Sequence, residues 1–374
     1  MTPALGVGPT GDTVPITVLT GFLGAGKTTL LNRLLKHPAL ADTAVLINEF
    51  GEVGLDHLLV EAVSGDVVLL NAGCLCCTVR GDLVKALHTL MFRRARGEVP
   101  LFKRMVIETT GLADPAPILH TLITDPFIAA RYRLDGVVTV VDAANGAATL
   151  DTQTEAMKQA AVADRIVLTK TDLASDTTTA ALKRRLATLN PTVQMIPAAD
   201  GAIDPALILN LGPFQADAKI ADVLGWLNEE AFADEQADSH HHDHGHDHEH
   251  GGQSHHDHRD RNRHDARIQA FCLTFDQPLR WEGFGRFLEM LISTRGESLL
   301  RIKGLLNFGG QDRPLVINGV QHIFHEPVLL QAWPPGDDRR SRIVFITRDL
   351  DRSVIENGIK AFEQAATPLS MAKA

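Results

Sequence analysis

Eight consecutive residues, Gly21-Phe22-Leu23-Gly24-Ala25-Gly26-Lys27-Thr28, fit G-x-x-x-x-G-K-[ST] at every fixed position. The chemistry is phosphate binding. Gly21, Gly24 and Gly26 let backbone N–H groups wrap an anion without Cβ clashes, with Ala25 between them. Lys27 carries a positive charge to the β- and γ-phosphates, and the Thr28 hydroxyl is suited to Mg²⁺. Thr28 and Thr29 open a helix whose positive end adds its dipole.

Two further stretches fit the same nucleotide. Ile166-Val167-Leu168-Thr169-Lys170-Thr171-Asp172 places T-K-x-D after an apolar run, about 140 residues beyond the phosphate loop. It is a variant of the N-K-x-D guanine motif, with Thr169 in place of Asn. The Asp172 carboxylate can accept from guanine N1–H and N2–H₂, whereas adenine offers no such donor pair on that edge. The Lys170 stem can cover the base face. GTP is therefore expected over ATP. Arg104-Met105-Val106-Ile107-Glu108 ends an apolar run in an acid followed by Thr109-Thr110-Gly111. An acid there suits Mg²⁺, and a glycine can approach the γ-phosphate. Lys27, Thr28 and Glu108 are thus the expected catalytic set.

Softer chemistry sits between these motifs. Cys74, Cys76 and Cys77 form C-x-C-C, three thiolates within four positions. Thiolates suit Zn²⁺ or Cu(I) rather than Mg²⁺, and two or three of them plus a carboxylate, His or water could make a tetrahedral site. Asn48-Glu49-Phe50-Gly51-Glu52-Val53-Gly54 could turn its acids toward Mg²⁺, the attacking water or that softer metal. Cys272 stands apart, in a strand-like stretch, and reads as core. A third feature is His240, His241, His242, His244, His246, His248 and His250, part of 11 His within 229–265 out of 17 in the chain. Neutral imidazoles bind Zn²⁺, Ni²⁺, Cu²⁺ or Co²⁺ weakly and in numbers.

The elements needed to hold these residues can be read from hydrophobic runs. Val14–Thr20, Ala44–Ile47, Val67–Leu70, Met105–Ile107, Val137–Val141 and Ile166–Leu168 are short apolar stretches separated by helical patterns. Among the latter, Lys27–Leu35 sets Leu30, Leu31, Leu34 and Leu35 on one face. Such alternation predicts an α/β fold with a mostly parallel sheet covered on both faces. Arg93, Arg94 and Arg96 read as a solvated helix end. From 267 the order becomes β-α-β-β-β-α: strands at Gln269–Phe275, Leu299–Phe308, Leu315–Phe324 and Ile343–Ile346, helices at Trp281–Ile292 and Ser353–Glu363. That order predicts a smaller α+β domain with an antiparallel sheet. The expected organisation is a leader at 1–13, a nucleotide domain at 14–228, a linker at 229–266, the α+β domain at 267–366 and a tail at 367–374.

Composition limits the partners. The chain of 374 residues has 36 Lys+Arg against 46 Asp+Glu, a formal net charge of −10. That balance argues against a nucleic-acid or anionic-membrane binder. Most of the charge is local: 229–265 holds 11 acids and three Arg, net −8, leaving about −2 elsewhere. A segment so polar cannot offset its ordering entropy by burial, so a mobile linker is expected. Met1–Thr20 shows no basic region before an apolar core, no apolar stretch is long enough to span a bilayer, and the clustered cysteines do not suit disulfides. A cytoplasmic location is the expectation.

Taken together, the motifs resemble the CobW-type P-loop GTPases, relatives of the urease and hydrogenase nickel-insertion GTPases. The resemblance is carried by residues 21–29, N-E-F-G-E-V-G-L-D (48–56), G-C-L-C-C (73–77), E-T-T-G-L-A-D-P (108–115), L-T-K-T-D (168–172), L-L-R-I-K-G (299–304) and G-V-Q-H (319–322). It implies a P-loop NTPase fold followed by a CobW C-terminal-type domain. It further implies slow GTP hydrolysis coupled to delivery of a metal, usually zinc, to a client metalloprotein. In that reading Cys74, Cys76 and Cys77 are the transfer ligands with Glu52 as helper, and the His-rich stretch is a weaker second site. Relatives of this GTPase class often form homodimers across the nucleotide. Two alternatives stay open: cobalt handling for cobalamin synthesis (with Co²⁺ or Ni²⁺ as cargo), and metal storage or sensing with incidental GTPase activity.

Overall fold

The structure, a computed structural model, describes residues 13–48, 68–72, 79–198, 202–211 and 268–366. Its first strand, β1 (Val14–Thr20), is buried along almost its whole length and feeds the glycine-rich turn. Helix α1 (Lys27–Leu35) follows, burying Leu30, Leu31, Leu34 and Leu35 as their spacing predicts.

Around β1 stand β2 (Thr43–Asn48), β3 (Val68–Ala72), β4 (Arg104–Glu108), β5 (Tyr132–Asp142), β6 (Arg165–Thr169) and β7 (Gln194–Pro197). These seven form one sheet in the order β3-β2-β4-β1-β5-β6-β7. Every pairing is parallel. Parallel strands need crossovers, and the intervening helices supply them. They are α2 (Val79–Ala95), α3 (Ala116–Thr124), α4 (Pro126–Ala129), α5 (Gly146–Thr152), α6 (Thr154–Ala161) and α7 (Asp176–Leu189). Leu83, Leu87, Leu90, Phe102 and Leu119 close one face of the sheet, and Leu30, Leu31, Leu34 and Val45 the other.

Two differences from the hydrophobic runs have local causes. Strand β5 begins at Tyr132 rather than Val137 because Arg133 and Asp135 break the apolar run yet are satisfied in place. The Asp135 carboxylate accepts from Thr17 Oγ1 at 3.2 Å and Asn210 N at 2.7 Å. Strand β7 is short, ends in Pro197 and lies at the sheet edge, where a missing N–H is tolerated.

The second unit comprises β8 (Ile268–Phe275), α8 (Trp281–Arg295), β9 (Leu299–Leu306), β10 (Leu315–Val320), β11 (Ile323–Phe324), β12 (Val328–Leu329), β13 (Ser341–Arg348) and α9 (Arg352–Ala365). The stretch Leu315–Phe324 is not one strand. It folds back at Gln321, whose φ is 54°, so β10 and β11 form a tight hairpin pairing Val320 with Ile323. The sheet is antiparallel, in the order β11-β10-β9-β13-β8. One face packs Phe271, Ile302 and Phe345 against α8 and α9.

The opposite face rests on the nucleotide domain. Ala270, Leu300 and Ile346 meet Ala161, while Val320 and Ile323 join the cluster containing Ile118 and Leu119. At the centre Arg301, 3% exposed, donates to Val162 O at 3.0 Å and pairs with Asp164. Lys303 reaches the same carboxylate at 3.1 Å. Burial pushes the Asp164 carboxyl up, but Arg301 and Lys303 outweigh it and hold the group well below the usual carboxylate range. Among the described residues no helix is long and apolar enough to cross a membrane.

Candidate active site

The parallel sheet places the C-terminal ends of β1, β2, β3 and β4 at one edge, with Leu19 and Ile47 both level with Glu108 and Asn48 level with Ala72. Ligand sites of open α/β sheets lie at such an edge. The turn after β1 needs glycine where it has glycine. A Cβ on Gly21 would sit 2.3 Å from Val140 O, and Gly26 has a φ of 94°. Lys27, 8% exposed, folds its ammonium back over the turn and donates to Gly21 O at 2.8 Å and Phe22 O at 3.3 Å. Helix α1 starts without a side-chain cap and without an acid in its first turn, so its positive end faces the loop uncompensated. Thr29 is exposed at that end.

Thr28 Oγ1 donates to Glu108 Oε1 at 2.9 Å, joining residues 80 positions apart. Glu108 is 4% exposed. It is held there because β1 and β4 stay zipped to their ends: Thr109 N donates to Leu19 O at 2.9 Å and Thr109 Oγ1 to Thr20 Oγ1 at 2.8 Å. The loop after β4 then lies directly on the phosphate loop, since a Cβ on Gly111 would fall 2.6 Å from Leu23 N. A hydroxyl and a carboxylate at this distance form a hard-oxygen donor set that fits Mg²⁺ and not a soft metal.

The T-K-x-D stretch is tied to the same loop. Thr169 Oγ1 lies 2.6 Å from Ala25 O and 3.3 Å from Val141 O, so Thr keeps a polar link despite replacing Asn. Lys170 adopts a left-handed backbone (φ 55°) and arches over the loop, donating to Gly24 O at 2.8 Å and to Asp142 Oδ2 at 2.7 Å. Asp172 sits exposed in the next turn. Asp142 is a member that the motifs did not reveal. Burial pushes its carboxyl up, but hydrogen bonds from Lys170 and from Asn145 and Ala144 prevail and keep it below the ordinary range. A further unsignalled residue is Gln159, whose amide reaches the loop after Glu108 at 3.0 and 3.2 Å. Neither belongs to a short motif; only the V-D ending of β5 hinted at the first.

Known proteins match this chain along both domains. The profile described as "CobW/HypB/UreG, nucleotide-binding domain" matches residues 15–197, and "Cobalamin synthesis protein cobW C-terminal domain" matches 268–363. The zinc chaperone YjiA of Escherichia coli K12 is 33% identical over 336 residues, covering 89% of this chain and 93% of that protein. The chain belongs to the CobW family of P-loop GTPases. The zinc chaperone CobW of a Sinorhizobium species is 29% identical over 381 residues, covering 93% of this chain and 97% of that protein. The zinc-regulated GTPase metalloprotein activator 1 of Schizosaccharomyces pombe is 38% identical over 200 residues, 52% of this chain and 47% of its own length. A crystal structure of Zn(II)-bound YjiA GTPase from E. coli superposes with a TM-score of 0.68 at 29% identity, covering 94% of this chain and 99% of that one.

Within this CobW-family chain the structure thus joins Gly21–Thr28, Glu108, Thr169 and Lys170 around one loop. Glu52, Cys74, Cys76, Cys77 and the histidines at 240–250 lie outside the described residues. Among the described residues no group of three or more His, Cys, Asp or Glu is arranged to hold a metal ion.

Proposed function

We propose that this GTPase is a metal chaperone that binds zinc through Cys74, Cys76 and Cys77, assisted by Glu52, and passes it to a client metalloprotein under GTP control. One observation supports the coupling above all. Strands β2 and β3 end level with each other, at Asn48 and Ala72, at the edge of the sheet that carries the phosphate loop and Glu108, and the runs 49–56 and 73–77 follow those ends in sequence. Loops sharing an edge with a γ-phosphate can be ordered by GTP and released on hydrolysis. The relatives named zinc chaperones support zinc over cobalt as cargo.

In this reading Gly21–Thr29 bind the triphosphate, Lys27 neutralises charge on the β- and γ-oxygens, and Thr28 with Glu108 holds Mg²⁺. Bound Mg²⁺ supplies compensation for the charge that builds on the phosphate oxygens as the bond breaks. Thr169 and Lys170 keep the base-reading turn in register with the phosphate loop, and Asp172 selects guanine. His240–His250 form a weak trap that raises the local zinc concentration.

Coupling is reciprocal by thermodynamic necessity, so zinc must shift GTP affinity by the factor with which GTP shifts zinc affinity. Titrating GTP with and without Zn²⁺ tests this, and equal dissociation constants would sink the gating. A second measurement separates a chaperone from a buffer: transfer of zinc to an apo-enzyme should need intact Lys27 in the former and not in the latter.

A further inference from the structure

Helix α6 reaches across to the loop that follows Glu108. Gln159 is fully buried, and its Nε2 donates to Gly111 O at 3.2 Å and to Ala113 O at 3.0 Å. Both partners are carbonyls, which only accept, so the amide must present its nitrogen here. Gln159 also lines a cavity of about 210 Å³ beside Phe22–Ala25, and its buried amide oxygen has no hydrogen-bond partner among the described residues. Leaving a buried amide oxygen unpaired is unfavourable. The orientation is therefore dictated by the two loop carbonyls. One residue earlier, Lys158 Nζ grips Asp114 Oδ2 at 2.9 Å.

The gripped segment has few anchors of its own. Residues 109–115 form no helix or strand. Gly111 nonetheless lies against Leu23 so closely that a Cβ would overlap the Leu23 backbone. Helix α6 is itself well fixed: Thr139 Oγ1 donates to Gln159 O at 2.7 Å, and Asn190 Nδ2 donates to Ala160 O, Ala161 O and Ala163 O. A well-anchored helix thus holds this irregular loop in contact with the phosphate loop.

We propose that Gln159 is a positioning residue for GTP hydrolysis. It presents the Gly111 segment to the γ-phosphate end of the loop, so that turnover and the preference for GTP over GDP both depend on it. The proposal rests on the GTPase reading and adds to it the residue that places the γ-phosphate sensor. Gln159→Leu keeps the volume and burial and removes both donors. In the full chain it should lower kcat about tenfold and raise KM for GTP only severalfold, in step with the weaker GTP binding.

The second readout is displacement of a fluorescent guanine nucleotide by GTP and by GDP. Gln159→Leu should cut the GTP-over-GDP preference severalfold with GDP affinity unchanged, which general loosening of the site cannot do. Lys158→Met, at a half-buried position, should move both quantities the same way by about two- to threefold. Unchanged kcat and preference in a folded Gln159→Leu protein overturn the proposal, as does an equal loss of GTP and GDP affinity. Should Gln159→Leu fail to fold, wild-type behaviour of Lys158→Met overturns it and reduced preference supports it. A native chain that hydrolyses no GTP refutes the GTPase reading instead, and the displacement experiment still tests Gln159.

Discussion

Single side chains in this molecule join distant segments. Thr28 and Glu108, 80 positions apart, meet at 2.9 Å, and Thr169 meets Ala25 at 2.6 Å across 144 positions. Thr169→Val keeps the shape and leaves Ala25 O without that donor. The loss of one buried hydrogen bond, roughly 1 kcal/mol, should raise the dissociation constant for GTP about fivefold, as read by nucleotide titration. Lys27→Ala removes the charge that faces the β- and γ-phosphates. Phosphate-release assays should show kcat reduced by about a hundredfold or more, with the melting temperature little changed. Lys27 was legible from its motif, because a phosphate loop is one contiguous run whose spacing is its geometry. Asp142 and Gln159 were not, because the contact that ties each to the site, Lys170 for Asp142 and Gly111 and Ala113 for Gln159, lies more than 25 positions away.

At the scale of elements, the interface between the two sheets turns on β9. Arg301 and Lys303 project from it onto Asp164, at the turn between α6 and β6. Asp164→Asn leaves the buried Arg301 without its counter-charge and should cost roughly 3–5 kcal/mol in urea unfolding. His325, beside the same group, has its pKa driven down to about 4, first by burial and then by Arg301, with Asp164 opposing. A base whose folded pKa is depressed contributes stability that is complete above its unfolded pKa of about 6.5 and is lost as pH falls toward 4. Stability should therefore drop by about 2 kcal/mol between pH 7 and pH 5, and His325→Gln should flatten that part of the urea-midpoint profile. The hairpin at Gln321 explains why His325 faces this cluster: without the turn, β10 would carry the chain past it.

Across the whole molecule, charge and function separate. The segment 229–265 carries net −8 of the chain's −10 and 11 of its 17 His. Removing 239–264 should lower the number of Zn²⁺ bound per chain, measured by elemental analysis, while GTP turnover stays within about twofold, since so polar a sequence has little apolar surface to contribute to a core. Unchanged stoichiometry would leave the segment as a plain tether. The acidic character of the protein thus describes that segment and says little about the surface of the folded domains.

The order of most strands and helices, the phosphate loop and the T-K-x-D turn could all be read from local pattern. Each depends on residues close in sequence, whose periodicity or spacing is itself the physical constraint. The full extent of β5, the hairpin within Leu315–Phe324, the Asp142–Lys170 pair, the grip of Gln159 on Gly111 and the docking of Arg301 on Asp164 needed the folded chain. There, polar residues interrupt hydrophobic runs or stand alone in sequence. Their partners, and hence the free energy that lets them be buried, come from segments that only the packed sheets bring together.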